Sequence, residues 1–152
     1  MQKKITPFLW FDTQAEEAAG YYVSIFKNST ITSVTHGPDG KALVVTFNLD
    51  GQDFIALNGG PAHKFTEAIS FSVDCADQAE VDDLWEKLSA GGSKGVCAWL
   101  KDKYGLSWQI VPRALPKLLG DPDRAKAKRV LEAMMQMTKI DIAKLEEAYQ
   151  QG

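Results

Sequence analysis

The alternation of apolar and polar residues divides the chain into short strands and amphipathic helices. An apolar segment over residues 4–11 predicts the first strand, and a helical apolar period begins after Thr13. Thr13 and Glu16 have capping-box spacing, so this helix is expected to start at Thr13. Three further strands are predicted over residues 29–36, 42–49 and 52–57, with an Asp50-Gly51 hairpin turn between the last two.

The same order of elements then starts again. A strand is predicted over residues 67–74, followed by a helix with Asp77 as its N-cap and by strands over 96–100 and 106–111. The segment Phe11–Glu16 also resembles Val73–Glu80, with two residues inserted before the second helix. Shared order and shared local sequence indicate an internal duplication.

Helices are predicted for the remainder of the chain. A short helix is expected over residues 114–119, and a longer one after an Asp121-Pro122 start, with helical apolar spacing continuing to Tyr149. We therefore predict an α+β fold in a single domain, residues 1–152. It would contain two βαβββ modules, about residues 1–62 and 63–112, and a C-terminal helical extension over about 113–152.

Composition and charge narrow the class of function. The chain has 152 residues and a formal net charge of −3, which argues against binding to nucleic acid, since that requires a basic surface. No segment approaches the roughly 18 apolar residues of a membrane span. Pro7 and Asp12 interrupt any signal-like segment, so a cytoplasmic location is expected. Cys75 and Cys97 match neither a redox motif nor a disulfide framework.

Four segments resemble PhnB-like proteins of the vicinal-oxygen-chelate superfamily, which includes glyoxalase I, bleomycin-resistance proteins and extradiol dioxygenases. They are Pro7–Asp12, Phe54–Pro61, Cys97–Pro112 and Lys139–Leu145. The resemblance implies two βαβββ modules whose curved mixed sheets enclose a cavity, and it implies a homodimer. It covers nearly the whole chain and is specific to the family without being specific to a function.

Proteins with this resemblance often carry the name 3-demethylubiquinone-9 3-methyltransferase. An enzyme that uses S-adenosylmethionine commonly has a glycine-rich turn between a strand and a helix. The glycine clusters here are Gly59-Gly60 and Gly91-Gly92, and the second closes a predicted helix instead of opening one. Methyl transfer is therefore not predicted, and no cofactor is expected.

The resemblance also locates the positions at which superfamily enzymes hold a divalent metal. They fall near Ile5 and Ala68, which have no ligand atom, and at Gln109, whose neutral amide is a weaker ligand than a carboxylate. We therefore expect no metal at these positions. His63 and Glu67 are an alternative pair of ligands, and the competing interpretation is that both are solvated surface side chains.

Without a metal, the candidate residues are those suited to an apolar cavity with a few polar groups. The aromatic candidates for the wall could equally be core or dimer contacts, and Asn58 could instead be a turn residue. The predicted function is binding of a small molecule in a metal-free, largely apolar cavity. The alternative is an enzyme acting on a small organic substrate, so catalysis is left open. The six ligand-binding candidates are Trp10, Phe47, Asn58, Trp99, Trp108 and Gln109.

Overall fold

Each half of the chain forms its own four-stranded mixed sheet in the computed structural model, which describes residues 3–151. One structural unit ends at Phe65 and the next starts at Thr66. The two outer limits of the predicted domain, residues 1 and 152, lie outside the described residues. The predicted internal boundaries near residues 62 and 112 stay predictions.

The first unit has the order strand, helix, strand, strand, strand. The elements are β1 (Phe8–Phe11), α1 (Ala15–Ile25), β2 (Ser29–His36), β3 (Ala42–Leu49) and β4 (Gln52–Asn58). In the sheet β1 runs parallel to β4, β4 is antiparallel to β3, and β3 is antiparallel to β2.

The second unit repeats this order and this pairing. The elements are β5 (Phe71–Cys75), α2 (Gln78–Ser89), β6 (Ser93–Lys94), β7 (Trp99–Lys101) and β8 (Ser107–Pro112). Here β5 is parallel to β8, β8 is antiparallel to β7, and β7 is antiparallel to β6. The topology of the first sheet therefore recurs strand for strand, which confirms the α+β fold of two βαβββ modules.

One face of each sheet is covered by the helix of its own unit. Against α1, the ring of Phe47 stacks on Tyr22 at 6.2 Å and on Phe54 at 5.2 Å between centroids. In the second unit the buried side chains of Trp85 and Leu88 on α2 pack over β7 and β8. Because strand residues alternate between faces, every second residue points away from the helix.

C-terminal helices complete the second unit as predicted, but they number three, because the long helix predicted to continue to Tyr149 is divided in two between Met134 and Ile142. They pack around a small apolar cluster that includes Leu115, Val130, Ile140 and Leu145. No helix within residues 3–151 is both long and apolar enough to cross a bilayer. The helices are α3 (Ala114–Leu119), α4 (Arg124–Met134) and α5 (Ile142–Gln150).

Several predicted ends of strands were wrong. The first strand begins at Phe8 because Pro7 has no N–H to donate, although its carbonyl still accepts from the Ile55 N–H at 3.0 Å. The strand predicted from Glu67 begins only at Phe71, after a turn, and the short strand β6 was not predicted.

The strand predicted over 96–100 is shortened for a different reason. Cys97 and Ala98 have φ values of +56° and +79°, which no strand residue adopts. Their N–H groups donate to the carbonyls of Met137 and Thr138 at 2.9 and 3.0 Å. These two bonds fix the segment before β7 to the chain that follows α4.

Two predicted helix starts were also wrong. Helix α4 is capped by Asp123, whose carboxylate accepts from the N–H groups of Ala125 and Lys126. The predicted cap, Asp121, instead accepts from the Asp123 N–H at 2.8 Å. Helix α1 has no capping box at Thr13. The N–H of its first residue, Ala15, donates instead to the side chain of Asn58 at 2.8 Å.

Candidate functional site

A row of side chains crosses the face of the second sheet that points away from α2. Gln109 on β8 pairs in register with Trp99 on β7 and with Ser72 on β5. Paired residues of neighbouring strands project from the same face. On the opposite face, the neighbours of Gln109 along the strand, Trp108 and Ile110, are buried. Two residues singled out from the sequence, Trp99 and Gln109, are thus brought together.

Gln109 is half-buried and held in one orientation. Its side-chain nitrogen Nε2 donates to the hydroxyl oxygen of Ser70 at 2.9 Å. Within residues 3–151, no hydrogen bond is formed to the amide oxygen Oε1. A half-buried amide with one end fixed leaves an acceptor available for a small molecule.

This row borders a cavity of about 350 Å³ in the second unit. Trp99, Gln109, Ser72 and Cys97 contribute from the sheet side, and the rest of the lining is mainly apolar. The volume and the mixture of apolar walls with few polar groups are typical of small-molecule sites. Sequence reasoning missed the helical part of the lining, which includes Leu115, Leu119 and Met134.

Two other candidates lie in buried cores. Phe47 is 1% exposed and stacks between Tyr22 and Phe54 under α1. Trp108 is 3% exposed, and its indole N–H donates to the buried carboxylate of Asp102 at 2.9 Å. Packing in the core explains why each position holds an aromatic residue. Contact with a ligand stays a prediction for both.

Trp10 is fixed on the backbone of its own unit. Its indole N–H donates to the Gly60 carbonyl at 2.8 Å, and its ring meets His63 edge to face at 4.7 Å. A Cβ atom at Gly59 would lie only 2.4 Å from the Trp10 ring, so only glycine permits this close approach. The ring of Trp10 therefore has three structural partners in the first unit.

Asn58 connects the end of β4 with two other parts of the first unit. Its Oδ1 accepts from the Ala15 N–H at 2.8 Å, and its Nδ2 donates to the Ala42 carbonyl at 3.0 Å. Both ends of the amide are thus used within the fold. Asn58 also borders an open hollow of about 900 Å³, whose other lining residues are mostly polar, charged or glycine and include Asp12, Glu16, Asp39 and Lys41.

The sequence profile of the family described as 3-demethylubiquinone-9 3-methyltransferase matches residues 3–111. The chain belongs to this family. The PhnB protein from Bacillus cereus is 34% identical, with a TM-score of 0.67 over 72% of this chain and 99% of that chain. The predicted resemblance to PhnB-like proteins is thereby confirmed.

A more distant solved structure has the same fold. Protein PA1353 from Pseudomonas aeruginosa is 17% identical, with a TM-score of 0.62 over 73% of this chain and 98% of that chain. A glyoxylase/bleomycin resistance protein/dioxygenase domain from Frankia sp. EAN1pec is 16% identical, with a TM-score of 0.48 over 74% and 92% of the two chains. No curated protein matches the sequence significantly.

The match to the PhnB-like family ends at residue 111, before the C-terminal helices. Leu115, Leu119 and Met134, which line the 350 Å³ cavity, lie beyond that limit. The sheet side of the cavity therefore lies within the family match, whereas its helical wall is supplied by residues beyond it.

Ile5, Ala68 and Gln109 are the residues at the positions where the resemblance implies metal ligands, and the expectation that no metal binds there stays a prediction. Ile5 is 87% exposed, Ala68 lies in the turn before β5, and Gln109 is bonded to Ser70. Within residues 3–151, no three or more His, Cys, Asp or Glu side chains are grouped so that they could hold a metal ion. His63 contacts Trp10, and Glu67 forms an ion pair with Lys101, so each has its own partner within its own unit.

Proposed function

We propose that this PhnB-like protein binds a small organic molecule in the 350 Å³ cavity of its second unit. The observation that carries the proposal is the convergence of Trp99, Gln109 and the apolar wall of α3 and α4 on one cavity. Trp99 offers a flat apolar surface, and the free Oε1 of Gln109 accepts a hydrogen bond that orients the molecule. Trp10, Phe47, Asn58 and Trp108 are not needed for this binding.

The family description supplies the name of a methyltransferase, and methyl transfer is not part of the proposal. The residues on which the binding proposal relies are apolar walls and one oriented amide, which bind and position without supplying a base or a nucleophile. The glycine clusters of the sequence do not have the arrangement of a dinucleotide-type turn. Saturable binding of S-adenosylmethionine by the full chain would contradict this part of the proposal.

The test compares two glutamine substitutions in strands. The full chain is titrated calorimetrically with a neutral aromatic amide, 4-phenylbutanamide, which combines an apolar ring with donor and acceptor groups. Gln109→Ala is expected to weaken binding about tenfold, the effect of losing one oriented hydrogen bond. Its melting temperature is expected to stay within about 2 °C of the parent protein, since the residue is only half-buried.

Gln52→Ala is the matched control. Gln52 is also a half-buried strand glutamine, lies in the first unit and donates to the Asp53 carbonyl. The control should leave the affinity unchanged. Absence of binding to the parent protein, or equal affinity in Gln109→Ala, would contradict the proposed site.

We also propose a homodimer in the cytoplasm, as the family resemblance implies. Support comes from large apolar side chains that are exposed within their own units, among them Phe8 at 56% and Val96 at 64%. Light scattering after gel filtration should then give twice the 16.7 kDa mass of one chain. A mass of one chain at micromolar concentration would contradict the dimer.

A further inference from the structure

A second, smaller cavity of about 160 Å³ adjoins Trp99. Its lining includes Ser93, Lys101 and Ser107, and Trp99 lines this cavity as well as the larger one. Lys101 pairs in register with Ser93 on one side and with Ser107 on the other. These three residues thus form a polar row next to the row of Trp99 and Gln109, and alternate residues of a strand are about 7 Å apart.

Ser107 supplies an unusual group to this cavity. Its side chain is fully buried, and its hydroxyl has no hydrogen-bond partner among residues 3–151. A buried hydroxyl without a partner is costly, and such groups are rare in folded proteins. An oxygen atom of a bound molecule in the cavity would satisfy it, because the hydroxyl can donate.

Lys101 supplies a positive charge to the same cavity. Its ammonium group forms an ion pair with Glu67, with side chains 43% and 60% exposed respectively. The hydrogen bond from Lys101 and its positive charge keep the pKa of Glu67 below its ordinary value, so the carboxylate is charged at neutral pH. Since the pair is exposed, an incoming anion can replace Glu67, which then returns to water at small cost.

We propose that the small cavity is a subsite for a carboxylate, so that the ligand of this protein is an organic acid with an apolar body. The proposal rests on the binding function proposed above and names its ligand class. The apolar body would occupy the larger cavity, and the carboxylate would accept hydrogen bonds from the hydroxyl of Ser107 and the ammonium of Lys101. A carboxylate suits two donors better than a neutral carbonyl does, because charge-assisted hydrogen bonds are about twice as strong.

The experiment compares 4-phenylbutanoate with 4-phenylbutanamide, two molecules of nearly the same shape that differ in charge. Calorimetric titration of the full chain at pH 7 should show the acid binding about tenfold more tightly than the amide. Ser107→Ala and Lys101→Met should each weaken binding of the acid about tenfold and should change binding of the amide much less. A neutral and an acidic probe of equal affinity would overturn the proposal.

Glu67→Gln should strengthen binding of the acid, in contrast to Ser107→Ala and Lys101→Met. The substitution releases Lys101 and removes a negative charge that competes with the ligand, so affinity for the acid should rise about three- to fivefold. Lys94→Met is the matched control, because Lys94 also forms an exposed ion pair, with Glu86, and lies outside the cavity lining. Weaker acid binding in Glu67→Gln, or an equal loss in Lys94→Met, would overturn the proposal.

The melting temperature of Ser107→Ala distinguishes a ligand group from a structural one. Removing a buried hydroxyl that has no partner should raise the melting temperature of the unliganded protein by about 2 °C. A fall of several degrees would assign the hydroxyl a structural role and would overturn the subsite. If the amide binds with the dependence on Gln109 described above while the acid has no advantage, the binding function stands and only the carboxylate subsite fails.

Discussion

The two units have the same topology but fix the start of their helices in different ways. Helix α2 caps itself: Asp77 accepts from the Glu80 N–H, and the Glu80 carboxylate accepts in return from the Ala76 N–H. Helix α1 depends on Asn58, which lies 43 residues along the chain from Ala15. The same fold thus uses a local contact in one unit and a long-range contact in the other.

The difference has an energetic consequence. A local cap stabilises its helix without fixing anything else, so its loss affects mainly the first turn. The Asn58 amide instead joins the start of α1, the end of β4 and the start of β3, because it bonds Ala15 and Ala42 at once. Its loss should therefore destabilise the tertiary structure of the whole first unit.

The largest expected effect follows from removing that long-range contact. Asn58→Ala should lower the free energy of unfolding by about 2–3 kcal/mol, because two half-buried hydrogen bonds are lost and their backbone partners stay unsatisfied. Urea unfolding followed by circular dichroism measures the change. A decrease in the free energy of unfolding smaller than that caused by Asp77→Ala, which removes the local cap of α2, would mean that the long-range contact is no stronger than a local cap.

Asn58→Asp refines this result. The aspartate retains an acceptor for the Ala15 N–H but replaces the donor to the Ala42 carbonyl with an oxygen. The free energy of unfolding of Asn58→Asp should therefore lie between those of the parent protein and Asn58→Ala. A value equal to that of the parent protein would show that the bond to Ala42 contributes nothing.

A smaller effect is expected at the local cap. Asp77→Ala should lower the free energy of unfolding by about 1 kcal/mol, the usual cost of losing an N-cap side chain. Asp77→Ser is the control, since serine is also a favourable cap and should recover most of the stability. A larger loss for Asn58→Ala than for Asp77→Ala would show that the long-range contact stabilises its unit more than the local cap does. Equal losses would show that the two ways of starting a helix are energetically equivalent.

The same contrast explains what the sequence could predict. Strands over residues 29–36 and 42–49 and the helix over 114–119 have their predicted limits, because alternation and turn residues define them locally. Asp77 was identified as a cap for the same reason. The cap of α1 was misassigned to Thr13 because its true partner is brought near only by the pairing of β1 with β4.

Prediction of the candidate site from the sequence was limited in the same way. Aromatic and amide residues were selected by type, yet which face each occupies depends on the register between strands. Adjacent residues Trp108 and Gln109 point to opposite faces of one sheet, so the first is buried in the core and the second borders the cavity. The helical wall came from residues for which no site was predicted, since an apolar stripe on a helix equally indicates core packing.

The smallest effect concerns the thiol beneath the local cap. Burial raises the pKa of Cys75 to about 12, with the negative charges of Glu80, Asp74 and Asp77 acting in the same direction. Cys75 should therefore resist alkylation by iodoacetamide at pH 8, whereas the partly exposed Cys97 should react. Mass spectrometry of timed samples identifies which thiol is modified. Because Asp77 caps α2 only two residues after the buried Cys75, Asp77→Ala should speed labelling of Cys75 about fivefold, matching about 1 kcal/mol of easier local opening. Asp77→Ser should leave the rate near that of the parent protein. Equal rates in all three proteins would show that the cap does not control opening at this end of the helix, and the contrast between the two units would then be one of sequence alone.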